Sequence, residues 1–231
     1  MVDLCGGTGA TSKAILALAP PNAQVISLDN ALAMQRVGRR TLHDPRLSWV
    51  TAPAEDLAEH VPAHGVDAVV CNSAIWKTDV PAVFSAVRRV LRPGGRFVFN
   101  IGGAFAGVVH PDGRAGPTSP SLGSLIQQIA ARDHGTTPPS ASLTPKLPLE
   151  IVSSHLANAG LKLLESEVTA QHATLGERKA WLSIPVFARP PGFSHEQQMA
   201  ILEEAYAQSR PDDVTVTSWL VVIAELEASQ V

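Results

Sequence analysis

The chain has 231 residues, of which 45% are apolar and 17% charged, with a formal net charge of −3. This length suits one α/β domain with an elaboration, and the absence of a basic run argues against nucleic acid as a partner, since Arg36, Arg39 and Arg40 read as a solvated helix face. No apolar stretch is long enough to span a bilayer and no signal peptide is visible, so the chain is expected to be soluble and cytoplasmic; its two cysteines, Cys5 and Cys71, make neither a disulfide framework nor a zinc set, and no metal site is expected.

Strand and helix signals alternate from the start. A strand over Met1–Cys5 runs into Gly6-Gly7-Thr8-Gly9. A helix over Thr11–Ala19, apolar at Ile15, Leu16 and Leu18, stops at Pro20-Pro21. A strand at Val25–Asp29, a helix at Ala31–Leu42 and a strand at Leu47–Ala52 follow. Glu55-Asp56-Leu57 reads as a loop or short helix. His60 and His64 read as loop residues, because Pro62 between them spoils a helix. Val66–Asn72 is an almost unbroken apolar run, as expected of a strand covered on both faces.

The next helix, Val80–Leu91, places Val83, Phe84, Val87, Val90 and Leu91 on one face and turns Arg88 and Arg89 outward. Pro93 stops it, Gly94-Gly95 turn the chain, and a strand over Arg96–Ile101 begins. This alternation predicts a parallel sheet with helices on both faces. Residues 102–148 are rich in Gly, Pro, Ser and Thr, with one helix predicted at Leu122–Asp133. Within a single domain spanning 1–231, residues 103–148 read as an inserted lid or substrate-covering segment. A helix at Leu149–Ala159 closed by Gly160, a strand at Leu161–Thr169, a helix at His195–Gln208 and a last strand at Val214–Leu226 complete the chain. Trp181, Phe187, Phe193 and Trp219 are expected in the core.

The glycine turn is the most informative segment. Glycine is needed where backbone bends sharply or approaches a ligand closely, and the helix after it points unpaired N–H groups at that place. Asp29 ends the next strand, where a carboxylate can accept hydrogen bonds from a ribose diol. The pattern implies a nucleoside-containing cofactor. The dinucleotide fingerprint is Gly-x-Gly-x-x-Gly or Ala, but Gly7-Thr8-Gly9-Ala10-Thr11-Ser12 places a serine last. There is no Tyr-x-x-x-Lys pair, and Tyr206 is the only tyrosine. A nicotinamide-dependent oxidoreductase is therefore disfavoured.

The string Asp3-Leu4-Cys5-Gly6-Gly7-Thr8-Gly9 instead resembles the first motif of class I S-adenosylmethionine-dependent methyltransferases. More narrowly, it resembles the quinone-biosynthesis C-methyltransferase type and its small-molecule relatives. Leu28-Asp29-Asn30 matches the family's ribose-holding acidic residue. Ala54-Glu55-Asp56-Leu57 resembles the segment along the adenine. Asn72 falls where the methionine part of the cofactor lies, and Leu91-Arg92-Pro93-Gly94-Gly95-Arg96-Phe97 matches the helix-to-strand turn. The resemblance implies a doubly wound, mostly parallel seven-stranded sheet with an antiparallel last strand. It also implies S-adenosylmethionine as cofactor, held by Asp3, Cys5, Gly7, Thr8, Gly9, Asp29, Asn30, Ala54, Glu55 and Asn72.

Two departures stand out. Pro53 replaces the family's Asp or Asn, leaving adenine to the Ala54 N–H, to Glu55 or Asp56, or to stacking. Family members carry helices before the first strand, whereas this chain starts inside it. Either the start is truncated or residues 102–148 do the covering.

The activity implied is methyl transfer to a small, partly apolar metabolite. The alternative is a non-catalytic member of the fold, or one that performs a cyclisation or isomerisation. Acceptor-facing candidates are Ser73, Trp76, Lys77, Asn100 and His110. His110 reads either as a base or as a solvated loop residue, and Trp76 as a pocket wall or as packing. No catalytic residue is assigned. Asn72 is followed by Ser73-Ala74, not by Pro-Pro-aromatic, which argues against amide nitrogens of protein or nucleic acid as acceptors. The expected partner is a small-molecule acceptor, with no nucleic acid and no membrane, and a homodimer stays open.

Overall fold

A computed structural model describes residues 1–114, 120–135, 146–185, 187–210 and 213–228. The described residues form a seven-stranded sheet in the order β3-β2-β1-β4-β5-β7-β6. The strands are β1 Val2–Leu4, β2 Val25–Asp29, β3 Leu47–Thr51, β4 Val66–Cys71, β5 Leu91–Gly102, β6 Lys162–Thr174 and β7 Val214–Glu225. Strands β1 to β5 pair in parallel, with Val2 opposite both Ile26 and Val69. Strand β7 pairs antiparallel with β5, from Arg96↔Glu225 to Gly102↔Trp219. The fold is the doubly wound sheet with a reversed last strand that the sequence predicts.

Contacts divide the chain into two compact units. The first takes Met1–Val108, Thr144–Thr169 and Trp219–Val231, and the second Val109–Leu143 and Ala170–Ser218. In the first unit, β1 is buried along its whole length because helices cover the central strands on both sides. Val2, Leu4, Leu28, Val69 and Val222 are fully buried there with Phe84 of α4 (Val80–Val90) and Phe97 of β5. Phe84 meets Phe97 edge-on at 5.4 Å, a favoured aromatic geometry. Asp79 caps α4 by accepting from the Ala82 N–H at 3.2 Å.

The second unit has its own core. Leu125, Ile126 and Ile129 on α7 (Leu122–His134) pack with Ile201 and Leu202 on α10 (His195–Ala207) and with Leu175 and Leu182 on α9 (Leu175–Leu182). Among the described residues no helix is long and apolar enough to cross a membrane.

Several expectations need correction. β6 continues beyond Thr169 to Thr174 and leads straight into α9, a helix absent from the sequence reading. Its signal was present: the Thr174 hydroxyl accepts from the Glu177 N–H while Glu177 accepts from the Thr174 N–H, a capping box. β5 begins at Leu91 rather than Arg96, because Leu226 pairs across the presumed turn, with Gly94 N–H donating to Leu226 O at 2.7 Å and Leu226 N–H to Gly95 O at 3.0 Å. His60 ends the short helix α3 (Leu57–His60) rather than lying in a loop. Short helices α5 (Gly103–Ala106) and α6 (Pro111–Arg114) interrupt the segment read as irregular. Trp181 is not a core residue, being 39% exposed, and Phe187 and Trp219 are only half-buried, whereas the partly buried Phe193 packs against the second unit's core. Trp181 stacks on Phe187 at 4.2 Å instead of entering the core.

Helix α2 (Leu32–Thr41) crosses the glycine turn at Gly38. A Cβ there would overlap the Trp49 ring and lie 2.8 Å from the Thr8 carbonyl oxygen. Gly38→Ala should therefore force α2 off the turn and lower stability by about 1–3 kcal/mol, the usual cost of overpacking. A shifted urea midpoint checks this, and an unchanged midpoint would mean that α2 has room to spare.

Candidate functional site

The turn after β1 is fixed from both sides. Gly6 N–H donates to Leu28 O on β2 at 3.1 Å, and Gly9 N–H to Gly6 O at 2.8 Å. Gly7 and Gly9 have φ of 55° and 87°, a left-handed region that costs glycine least. Gly9 opens α1 (Ala10–Leu18), whose first N–H groups face the end of the sheet. At the tip of β2, Asp29 bridges the two loops. Its Oδ2 accepts from Gly7 N–H at 2.9 Å and its Oδ1 from Ala31 N–H at 2.7 Å. The structure thus brings Asp29, Gly7 and Gly9 together, with Thr8 and Asn30 exposed beside them.

Asp3 lies beneath this turn and is 1% exposed. Its Oδ2 accepts from the Ser12 hydroxyl at 2.6 Å. Its Oδ1 has no partner, and neither does the buried Ser27 hydroxyl. Burial pushes its pKa up to about 6, against the pull of the Ser12 hydrogen bond. Cys5 sits half-buried with φ 58°, and Cys71 is fully buried at the end of β4. The neighbouring Cys5 thiol and burial both push the Cys71 thiol up, so it stays protonated.

The ends of β4 and β5 are tied by side-chain amides. Asn100 Oδ1 accepts from Ser73 N–H at 2.6 Å, and Asn100 Nδ2 donates to Asn72 Oδ1 at 2.8 Å. Asn72 Nδ2 in turn donates to Thr11 Oγ1 on α1 at 3.2 Å. Ser73 holds φ at 59°, a conformation costing a non-glycine residue about 1–3 kcal/mol and common near functional sites. Trp76 stacks on Phe105 with centroids 5.0 Å apart, and Lys77 is exposed next to it.

After β3, Ala54 is buried. Glu55 accepts from the Asp79 N–H at 2.8 Å, so one of its oxygens serves α4. His110 belongs to the second unit, where its backbone N–H donates to Ser218 Oγ at 2.9 Å and its Nδ1 accepts from Asp112 N–H at 3.2 Å.

Sequence reasoning missed Gln35. This buried side chain donates from Nε2 to Val50 O at 2.5 Å and Asp29 O at 3.3 Å, and its Oε1 accepts from Thr51 Oγ1 at 2.9 Å. It locks the tips of β2 and β3 together. A polar residue three positions before Gly38, on the inward face of α2, was the available signal.

Residues 1–95 match the family described as the methyltransferase domain. Over those residues the chain is similar to class I S-adenosylmethionine-dependent methyltransferases. The chain is 35% identical over 106 residues to a malonyl-[acyl-carrier protein] O-methyltransferase of Xylella fastidiosa, covering 45% of this chain and 35% of that protein. It is 33% identical over 103 residues to a ubiquinone/menaquinone biosynthesis C-methyltransferase of Hahella chejuensis, covering 42% of this chain and 41% of that protein. The chain thus spans well under half the length of these curated relatives. Among solved structures, a Haemonchus contortus phosphoethanolamine N-methyltransferase in complex with phosphomonomethylethanolamine and S-adenosylhomocysteine aligns over 99% of this chain and 48% of its own, with a TM-score of 0.57 and 16% identity. That likeness is one of fold.

Proposed function

We propose that the chain transfers the methyl group of S-adenosylmethionine to a small, partly apolar cytoplasmic metabolite. The observation that carries this reading is the Asp29 carboxylate, fixed by two backbone N–H groups against the Gly7 turn. The residues present fit the cofactor. Each Asp29 oxygen keeps capacity for a further donor, which suits a ribose diol, with Asn30 alongside. Gly7, Thr8 and Gly9 leave bare backbone for the methionine tail, and a side chain at position 7 would meet the Met34 methyl at 3.1 Å. Ala54 and Glu55 border the adenine, where Pro53 has no N–H to offer. Asp3 and Cys5 shape the turn from below. Asn72 lines the methionine side, and Ser73, Trp76 and Asn100 face the acceptor.

S-adenosylmethionine carries a methyl group already activated on a sulfonium. The chain's own work is then alignment and exclusion of water, and such positioning can lower a barrier by about 7–11 kcal/mol. This accounts for well-marked binding residues with no evident catalytic base. The curated relatives' names, a malonyl-[acyl-carrier protein] O-methyltransferase and a ubiquinone/menaquinone biosynthesis C-methyltransferase, support methyl transfer.

The test incubates the chain with methyl-labelled S-adenosylmethionine and a panel of small alcohols, carboxylic acids, amines and hydroquinones. Acceptor-dependent release of S-adenosylhomocysteine is expected. Failure of calorimetry to detect binding of either adenosyl-sulfur compound would overturn the reading.

A further inference from the structure

The second unit contains a cavity of about 370 Å³, a volume in the range of small-ligand sites. Its wall combines the start of α7, residues Leu175 and Arg178 of α9, and residues 214–217 of β7. These are rigid elements, α9 being held by the Thr174–Glu177 capping box.

Arg178 gives the cavity its chemistry. Its guanidinium carbon lies 4.7 Å from the centre of the Trp181 ring, and Trp181 stacks on Phe187 with ring planes 14° apart. Two aromatic layers therefore fix the fork in place. Some arginines of the chain have carboxylate partners: Arg46 has Asp44, Arg92 has Asp67 and Arg132 has Asp133. Among the described residues Arg178 has none. Asp112 and Asp213 also line the cavity, Asp112 lying 3.1 Å from His172 Nε2. Burial, together with the like charge of Arg189, pushes the Arg178 pKa down. Arg178 is half-buried, and no carboxylate lies within ion-pair distance of it among the described residues, which leaves its fork open to an oxyanion. Thr217, which also lines the cavity, has a hydroxyl with no hydrogen bond among the described residues. Leu122, Leu175 and Val216 supply apolar wall.

We propose that this cavity binds a small metabolite by its carboxylate or phosphate group, which pairs with the Arg178 fork and the Thr217 hydroxyl while an apolar portion rests on Leu122, Leu175 and Val216. A planar guanidinium is matched to either oxyanion. The cavity shares no lining residue with the Asp29–Gly7 turn, and the proposal stands whether or not methyl transfer is the chain's activity.

The probes are sodium butyrate and inorganic phosphate, titrated into the full chain and followed by tryptophan fluorescence and calorimetry. Saturable binding of at least one anion is expected, with a fluorescence change that disappears in Trp181→Phe. Saturation by butyrate alone identifies a carboxylate ligand, and saturation by phosphate alone a phosphorylated one. Arg178→Gln should weaken the binding at least about tenfold, as loss of a charge-assisted hydrogen bond does. Arg178→Lys keeps the charge and should weaken it less. S-adenosylhomocysteine binding should be the same in all variants, which also confirms that they fold. Absence of binding by both anions, or equal binding by the wild type and Arg178→Gln, overturns the proposal.

Discussion

Asp29→Ala is expected to weaken S-adenosylmethionine binding by about a hundredfold or more. Hydrogen bonds to a charged group contribute roughly 1.5–3 kcal/mol each, or about ten- to a hundredfold in affinity per bond. The proposed ribose diol offers two. The substitution also frees Gly7 N–H and Ala31 N–H, which now meet the carboxylate at 2.9 and 2.7 Å. The glycine turn then loses its clamp as well as its ligand contact. Asp29→Asn should be nearly as damaging, because its amide presents a donor toward one of two backbone donors. Calorimetry with S-adenosylhomocysteine checks both variants, and wild-type affinity in Asp29→Ala would remove this carboxylate from the site.

Asp3→Asn is expected to stabilise the protein at pH 8 by about 3 kcal/mol. Burial raises the Asp3 pKa from an ordinary value of 3.8 to about 6. The folded state therefore binds a proton that the unfolded chain has released. The sign follows from linkage: stability from this group is fully present below the unfolded pKa and is lost as pH rises through the folded one. At about 1.4 kcal/mol per pKa unit, the loss between pH 4 and pH 7 comes to about 3 kcal/mol. Asparagine removes the buried charge, can still accept from the Ser12 hydroxyl, and brings a donor to a place where Asp3 Oδ1 and Ser27 Oγ are unpartnered acceptors. Urea unfolding at pH 4.5 and pH 8 checks this. The wild type should weaken across that interval and the variant should not. Equal stability at pH 8 would mean that Asp3 stays neutral or well solvated.

The parts of the fold that were legible from sequence share a cause. Strands β1, β2 and β4 lie in the middle of the sheet, so they had to be apolar on both faces and bounded by turn residues. Asp29 and the glycine turn were legible because their chemistry depends on residue type and spacing. The second half was harder. Strand β6 is outermost in the sheet order, and Glu165-Ser166-Glu167 in its middle are exposed, so half of it carries no burial pattern. Gly38 looks like a poor helix former, and the Trp49 ring and the Thr8 carbonyl, both distant in sequence, explain it. His110 drew attention as a titratable group, yet its Nδ1 accepts from a backbone N–H two residues ahead, a contact no spacing rule announces.

The position of β7 bears on how the protein is made. It comes last in chain order among the described strands, yet it fills a gap between β5 and β6. Until Trp219–Glu225 leaves the ribosome, the Phe97–Ile101 stretch has an open hydrogen-bonding edge, and β6 has no neighbour to join. Such edges invite pairing with other chains, and partners so far apart in sequence assemble slowly. A nascent chain stalled before this strand is thus the form most prone to aggregate and most in need of chaperone cover.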